Sequence, residues 1–144
     1  ASYLRDWKRD YESDTLLVAD RYVTSNAIHQ MAKLPEEEWD EYLDWLDAFE
    51  YDRLGLPRPD LILWLDMPPD ISRALLIKRA GGTLTDLHEK DLHYLEICRR
   101  AAGYVAHKQG WISIACGSGE APYPTCDIHE AIMTILRKEN CIDD

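Results

Sequence analysis

Short apolar runs alternate along the chain with longer segments in which apolar residues recur every three or four positions. The apolar runs, each the length of a buried strand, are Thr15–Ala19, Leu61–Leu65 and Trp111–Ala115. The longer segments predict helices at residues 1–13, 25–33, 36–54, 68–79, 86–108 and from 127 onwards. Strands that alternate with helices favour an α/β fold with a parallel sheet covered by helices on both faces.

Local signals mark where several of these helices begin. Ser25 is a favoured N-cap residue for the second helix. Pro68 and Pro69 suit the first turn of the fourth helix. Asp127 and Glu130 have the spacing of a capping box for the last helix. In the third helix, the apolar spacing predicts a buried stripe that contains Trp39, Leu43, Leu46 and Phe49.

Composition narrows the class of protein. The 144 residues are enough for one domain with a core, and no linker divides them, so residues 1–144 are predicted to form a single domain. The net charge of −11 argues against nonspecific binding to nucleic acid or to an anionic membrane. The longest apolar run, residues 61–65, is too short to span a membrane. Cys98, Cys116, Cys126 and Cys141 form no CxxC motif, which is typical of reduced thiols in a cytoplasmic protein.

Charged residues follow two of the predicted strands directly. Asp20 and Arg21 come after the first strand, and Asp66 comes after the second. Ligands of parallel sheets bind at the carboxyl ends of the strands. A carboxylate there suits a hydrated Mg²⁺ ion, and the planar fork of an arginine suits phosphate oxygens. The alternatives are a capping aspartate, or a surface ion pair between Asp20 and Arg21. For Asp66 we expect a structural role in capping the helix that follows.

Three segments of the sequence resemble, in order, landmarks of the thymidylate kinase family of P-loop nucleoside monophosphate kinases. They are "VADRYVTSNAIHQ", "PDLILWLDMPPDISRALLIKR" and "DLHEKDLHYLEICRRAAGYVA". The resemblance implies a P-loop NTPase-like parallel sheet and transfer of the terminal phosphoryl group of ATP to dTMP, which gives dTDP. It further implies dependence on Mg²⁺, a cytoplasmic location and a homodimer, with nucleotides as the small-molecule partners.

The resemblance also implies roles for individual residues near the first strand. Asp20 would hold Mg²⁺, Arg21 would bind the phosphate of the acceptor, and both would act in catalysis. Tyr22 would mainly pack, with some contact to the ligand. The remaining pocket residues would be Ser25, Asn26, His29 and Gln30. An amide such as Asn26 can donate and accept at once, as a pyrimidine edge requires, although plain helix capping explains Ser25 and Asn26 nearly as well.

The segment from about 79 to 88 resembles the mobile lid of the family. Lys78 and Arg79 would contact ATP, and Arg79 would stabilise the charge of the transferring phosphoryl group. The alternative is that both cations complement the carboxyl end of their helix. Arg99 and Arg100, in the next helix, are expected to face solvent.

Two departures from the family pattern leave alternatives open. His29 stands where the family usually has tyrosine, which suggests a deoxynucleoside kinase or a monophosphate kinase of broader specificity. No G-x-x-x-x-G-K-[ST] motif occurs in the sequence. We therefore expect that the phosphate loop lies upstream of this chain, on a strand between the Asp20 and Asp66 strands, and that these residues alone are inactive. A noncatalytic nucleotide-binding or scaffold protein without a P-loop is the alternative from another class.

Overall fold

The computed structural model describes residues 6–13, 15–79, 89–119 and 121–143. Within these ranges the helices are α1 (Lys8–Tyr11), α2 (Val23–Met31), α3 (Trp39–Asp47), α4 (Pro69–Arg79), α5 (Glu89–Gln109) and α6 (Thr125–Lys138). The strands are β1 (Leu63–Asp66), β2 (Ile112–Ala115), β3 (Gly117–Ser118) and β4 (Ala121–Pro122). The protein is thus a mixed α/β structure, as its alternating apolar pattern predicts. None of the described helices has the length and apolar character needed to cross a membrane.

The sheet is small and parallel. β1 pairs with β2 in a register that sets Leu63 opposite Ile112 and Asp66 opposite Ala115. The connection between them runs through α4 and α5, as a parallel crossover requires. Beyond β2 the chain folds back in the short antiparallel pair β3–β4. The backbone of Gly117 lies so close to its neighbours that only glycine fits. An added Cβ would lie 2.8 Å from Ile71 Cδ1 and 2.9 Å from the Ala121 carbonyl oxygen.

The core lies where α2, α3 and α5 meet. Its buried members are Val23, Ala27, Met31, Trp39, Leu43, Leu46, Ala101, Val105, Ala106 and Trp111. Small residues on α5 let the other helices approach closely. The buried indole of Trp39 donates a hydrogen bond from Nε1 to the Met31 carbonyl oxygen at 2.8 Å, so its polar atom is satisfied inside the core. The predicted buried stripe is correct for Trp39, Leu43 and Leu46, whereas Phe49, which follows the end of α3, is only half-buried.

The prediction of a strand at Thr15–Ala19 is wrong for the described structure. The segment is irregular and exposed, with Leu16, Leu17 and Val18 at 52%, 37% and 84% exposure. A strand requires backbone hydrogen bonds to a neighbouring strand, and β1 pairs with β2 rather than with this segment. The apolar character of residues 15–19 suits a strand, but it does not show which strand would pair with them.

Two predicted helix caps are also wrong. α2 begins at Val23 with Tyr22 as its N-cap, and Ser25 lies inside the first turn, where its N–H donates to the Tyr22 carbonyl oxygen at 3.0 Å. α6 begins at Thr125 after Pro124, without a side-chain cap. The restricted φ of Pro124 already sets the entry into that helix, which places Asp127 in the first turn. The predicted helix at 36–54 is a 3₁₀ turn (Glu36–Glu38), α3 and a π-helical turn (Ala48–Arg53).

Candidate functional site

Asp20 and Arg21 form a bend that leads directly into α2. Both residues are exposed, and among the described residues neither side chain makes a salt bridge. The predicted alternative of an Asp20–Arg21 ion pair is therefore not observed. Arg21 has a φ of 70°, in the left-handed region that non-glycine residues rarely occupy. This backbone conformation costs of the order of 1–2 kcal/mol, so the surrounding structure must hold it.

Tyr22, the residue that follows this bend, is anchored by two contacts. Its hydroxyl donates to the Pro57 carbonyl oxygen at 3.1 Å, and its ring meets the Trp7 ring edge-on at 5.8 Å. Its side chain is half-buried between these two segments. These contacts tie the start of α2 to the turn before β1 and account for the packing role predicted for Tyr22.

The other predicted pocket residues lie on different faces of α2. Val23, Ala27 and Met31 are buried in the core. Asn26 and Gln30 are exposed four residues apart, so they share one face of the helix. Ser25 is half-buried, and the Gln30 side-chain oxygen accepts a hydrogen bond from Lys33 Nζ at 3.3 Å.

His29 contacts α5. Its Nδ1 lies 3.3 Å from Tyr94 Oη and 3.8 Å from Cys98 Sγ, and its ring stacks on the Tyr94 ring at 6.4 Å. Burial raises the pKa of the Cys98 thiol and also that of the Tyr94 hydroxyl. His29 therefore joins α2 to the helix that follows the predicted lid, an association that no local sequence signal indicates.

Asp66 and Arg99 form a bidentate pair at the carboxyl end of β1. Arg99 Nε donates to Asp66 Oδ1 at 2.6 Å, and Nη2 donates to Oδ2 at 2.8 Å. The hydrogen bond to Asp66 raises the pKa of Arg99. Arg99 is exposed, as predicted, but its guanidinium group is bound, and the carboxylate predicted to cap α4 is occupied by this pair. Each Asp66 oxygen thus accepts a hydrogen bond from Arg99.

An open cleft lies beside this pair. Its volume is about 510 Å³, which is in the usual range for small-molecule sites. The lining residues are Trp64, Asp66, Pro69, Asp70, Glu96, Arg99 and Arg100. Arg100 also pairs with Glu36 at 2.9 Å. The predicted acceptor residues lie on and before α2 and do not line this cleft, so the structure does not bring the two groups into one cavity.

The predicted lid cations lie at the end of α4. Lys78 and Arg79 are both exposed in its last turn, where a cation complements the helix dipole. The remainder of the lid predicted at 79–88 falls outside the described residues.

The described residues offer few possible ligands for a metal ion. No group of three or more histidine, cysteine, aspartate or glutamate side chains lies close enough to hold a metal ion among them. Asp20 offers one exposed carboxylate. A single carboxylate fits Mg²⁺, which keeps most of its waters and shares substrate phosphates, better than it fits a fully protein-bound metal. All four cysteines are free thiols.

The structure defines an α/β protein in which Asp20 and Arg21 follow an apolar segment and Asp66 ends a strand of a parallel sheet. Its sequence is similar to two thymidylate kinases of Mycobacterium tuberculosis, from strains CDC 1551 and H37Rv. Each is 32% identical over 101 residues, which is 67% of this chain and 46% of the relative. The chain thus spans about half the length of the curated relatives that it matches. No family model matches the chain, and no solved structure matches it significantly.

Proposed function

We propose that the chain is part of a thymidylate kinase, an enzyme that uses ATP and Mg²⁺ to phosphorylate dTMP and releases dTDP and ADP. The similarity to two thymidylate kinases supports a nucleotide kinase. The observation that carries the proposal is the exposed Asp20–Arg21 bend, which presents a carboxylate and a guanidinium group without using them in a salt bridge among the described residues. The fold proposed for the complete domain is the P-loop NTPase sheet.

The two charges of the bend have different tasks in this proposal. Phosphoryl transfer depends on positioning and on neutralising charge. Asp20 would hold Mg²⁺ through water, and Arg21 would bind the acceptor phosphate with its fork of donors. Because Asp66 is fully engaged by Arg99, Asp20 is the better candidate for the metal.

The acceptor would lie along α2. Asn26 and Gln30 share the exposed face of this helix and offer amide donors and acceptors for a base. Ser25 lies in the first turn, where it would contribute its half-buried hydroxyl, because its own N–H already donates to the Tyr22 carbonyl oxygen. Tyr22 would support this pocket by fixing the start of α2, through its bond to Pro57.

The ATP side of the site would include the lid. Lys78 and Arg79 stand at its start, and their exposure leaves both cations available to phosphate oxygens. We propose the segment 79–88 as the lid and residues 1–144 as belonging to one domain. Closure would exclude water from the reacting groups.

The phosphate loop would come from sequence outside these residues. The chain contains no Walker motif, and the exposed apolar side chains of Leu16, Leu17 and Val18 offer a surface that a neighbouring strand would cover. These residues alone would then be inactive. The complete enzyme is proposed to act in the cytoplasm as a homodimer.

A second candidate is a kinase with a broader choice of acceptor. It is favoured by His29, whose ring is held by Tyr94 and Cys98 on α5 instead of being presented to solvent beside Asn26. Acceptor selectivity would then depend on α5 as well as on α2.

The test is an assay of ADP release by the complete protein with ATP and Mg²⁺. The acceptors dTMP, dUMP, UMP and thymidine are supplied in parallel. Selective turnover of dTMP supports the first proposal, and turnover of several acceptors supports the second. No turnover by the folded protein with any acceptor would overturn both and favour a noncatalytic nucleotide-binding or scaffold protein.

Variants of the bend then test the assigned roles. Asp20→Asn should weaken the Mg²⁺ dependence, and Arg21→Ala should lower kcat/KM for the acceptor by about 10²–10³-fold, the usual effect of losing one charge-stabilising donor. Asp60→Asn and Arg73→Ala, which alter exposed residues outside the bend, are the matched controls and should retain activity. Equal losses in both sets would contradict the assignment.

A further inference from the structure

The third helical segment concentrates the acidic charge of the protein. Residues 36–53 carry nine carboxylates and one arginine. Four of the carboxylates are neutralised by cations elsewhere in the chain: Glu36 by Arg100, Asp40 by Lys108, and Asp47 and Asp52 by Arg58. The others, which have no salt-bridge partner among the described residues, are Glu37, Glu38, Glu41, Asp44 and Glu50. A strong local excess of negative charge therefore remains on this segment.

The same segment carries a group of three aromatic rings, of which Trp45 is exposed and Tyr42 and Phe49 are half-buried. Trp45 is 55% exposed, an unusual value for such a large apolar side chain. Its ring stacks on that of Phe49 at a centroid distance of 5.3 Å and an angle of 8°, and the Tyr42 ring lies 5.7 Å away. The mutual contacts hold these rings in place before any partner arrives, so little side-chain entropy would be lost on binding.

A small hollow opens beside the stacked rings. Its volume is about 150 Å³, and it is lined by Trp45, Ala48, Phe49 and Arg53. Three of its four lining side chains are apolar, so the hollow suits an aliphatic side chain of a partner. An exposed tryptophan beside a hollow that one partner side chain can fill is the usual arrangement of a binding hot spot.

Charge and aromatic rings lie on one side of the helix. Glu41 and Glu38 precede Trp45 by one and two helical turns, and both are exposed. We propose that this acidic aromatic face, formed by Glu38, Glu41, Tyr42, Trp45 and Phe49, binds a basic amphipathic helical segment of a partner protein. Leucine-like side chains of the partner would contact Trp45 and fill the hollow, while its lysines or arginines would face the carboxylates.

Charge decides against two other occupants. A second copy of this chain would bring the same unpaired carboxylates against each other, and like charges opposed across an interface weaken binding. Nucleic acid is excluded by the same repulsion. The face does not include Asp20, Arg21 or α2, so the inference is independent of the proposed kinase reaction.

The experiment uses a fluorescent peptide of repeated Leu-Lys-Lys-Leu-Leu-Lys-Leu heptads and measures its anisotropy with the complete protein. Trp45→Ala should weaken binding by at least about tenfold, as expected for a central aromatic contact. The matched control is Tyr123→Ala, which removes an aromatic side chain of 40% exposure on another surface and should leave binding within about twofold.

Charge variants test the second half of the interface. Replacing Glu38 and Glu41 together by glutamine should weaken binding and flatten its salt dependence, whereas Glu130→Gln on α6 should do neither. Equal binding by Trp45→Ala and Tyr123→Ala, or no binding by the wild type, would overturn the inference. Sedimentation that shows a dimer lost in Trp45→Ala would also overturn it, because the face would then be covered by a second copy. Circular dichroism melts confirm that each variant is folded.

Discussion

The left-handed backbone of Arg21 makes a prediction that separates stability from function. At a φ of 70°, a side chain with a Cβ costs about 1–2 kcal/mol relative to an unstrained conformation. Glycine removes that strain, although its greater freedom in the unfolded chain offsets about 0.4–1 kcal/mol of the gain. Arg21→Gly should therefore be more stable than Arg21→Ala by about 1 kcal/mol, whereas both variants lose the guanidinium group and the acceptor affinity proposed for it.

Urea denaturation of the complete protein measures the difference. With an m-value of about 1–3 kcal/mol/M, a difference of about 1 kcal/mol moves the midpoint by roughly 0.3–1 M. Arg73 in the middle of α4 is the matched control, because it is the same residue type, exposed, and helical. There the order should reverse, with Arg73→Gly less stable than Arg73→Ala by about 1 kcal/mol. Equal midpoints for the two Arg21 variants, or the same order at both positions, would refute the argument from strain.

Three further predictions concern the core, a half-buried hydroxyl and an ion pair. Leu43→Ala, at a side chain of 1% exposure, should lower the free energy of unfolding by about 2–5 kcal/mol in urea titrations, and a loss below about 1 kcal/mol would contradict its place in the core. Burial, followed by the nearby charge of Asp47, raises the pKa of Tyr51 to about 12. The unfolded chain then loses this proton first, so stability should fall as the pH rises from about 10 through about 12. Tyr51→Phe should flatten that fall, and an unchanged slope would refute the assignment. Asp66→Asn should cost no more than about 1 kcal/mol, because the Arg99 side chain is 43% exposed to water, and a larger loss in the same titration would mean that the pair is structural.

The sequence predicted the elements that leave a local apolar pattern, but it did not predict contacts between residues far apart in the chain. The spacing of apolar residues identified β1, β2, α4 and α5, because burial on one face leaves a period in the sequence. It did not predict the contact of His29 with Tyr94 or that of Asp66 with Arg99. Those partners are separated by 65 and 33 residues, and a lone histidine or arginine carries no information about a distant partner. The candidate site residues could be named by resemblance, but their exposure and their partners could not.

The bend at Asp20 and Arg21 is fixed from one side only. Downstream, Tyr22 bonds to Pro57, and α2 is buried against α5, so the position of Arg21 is tied to the core. Upstream, residues 15–19 are exposed and pair with no strand of the described structure. If a neighbouring strand covers residues 15–19, as proposed above, the same apolar residues would also hold Asp20 in place. Such a strand would remove the apolar surface of Leu16–Val18 from water and fix the Asp20 carboxylate in one step, which would couple strand pairing to assembly of the proposed metal site.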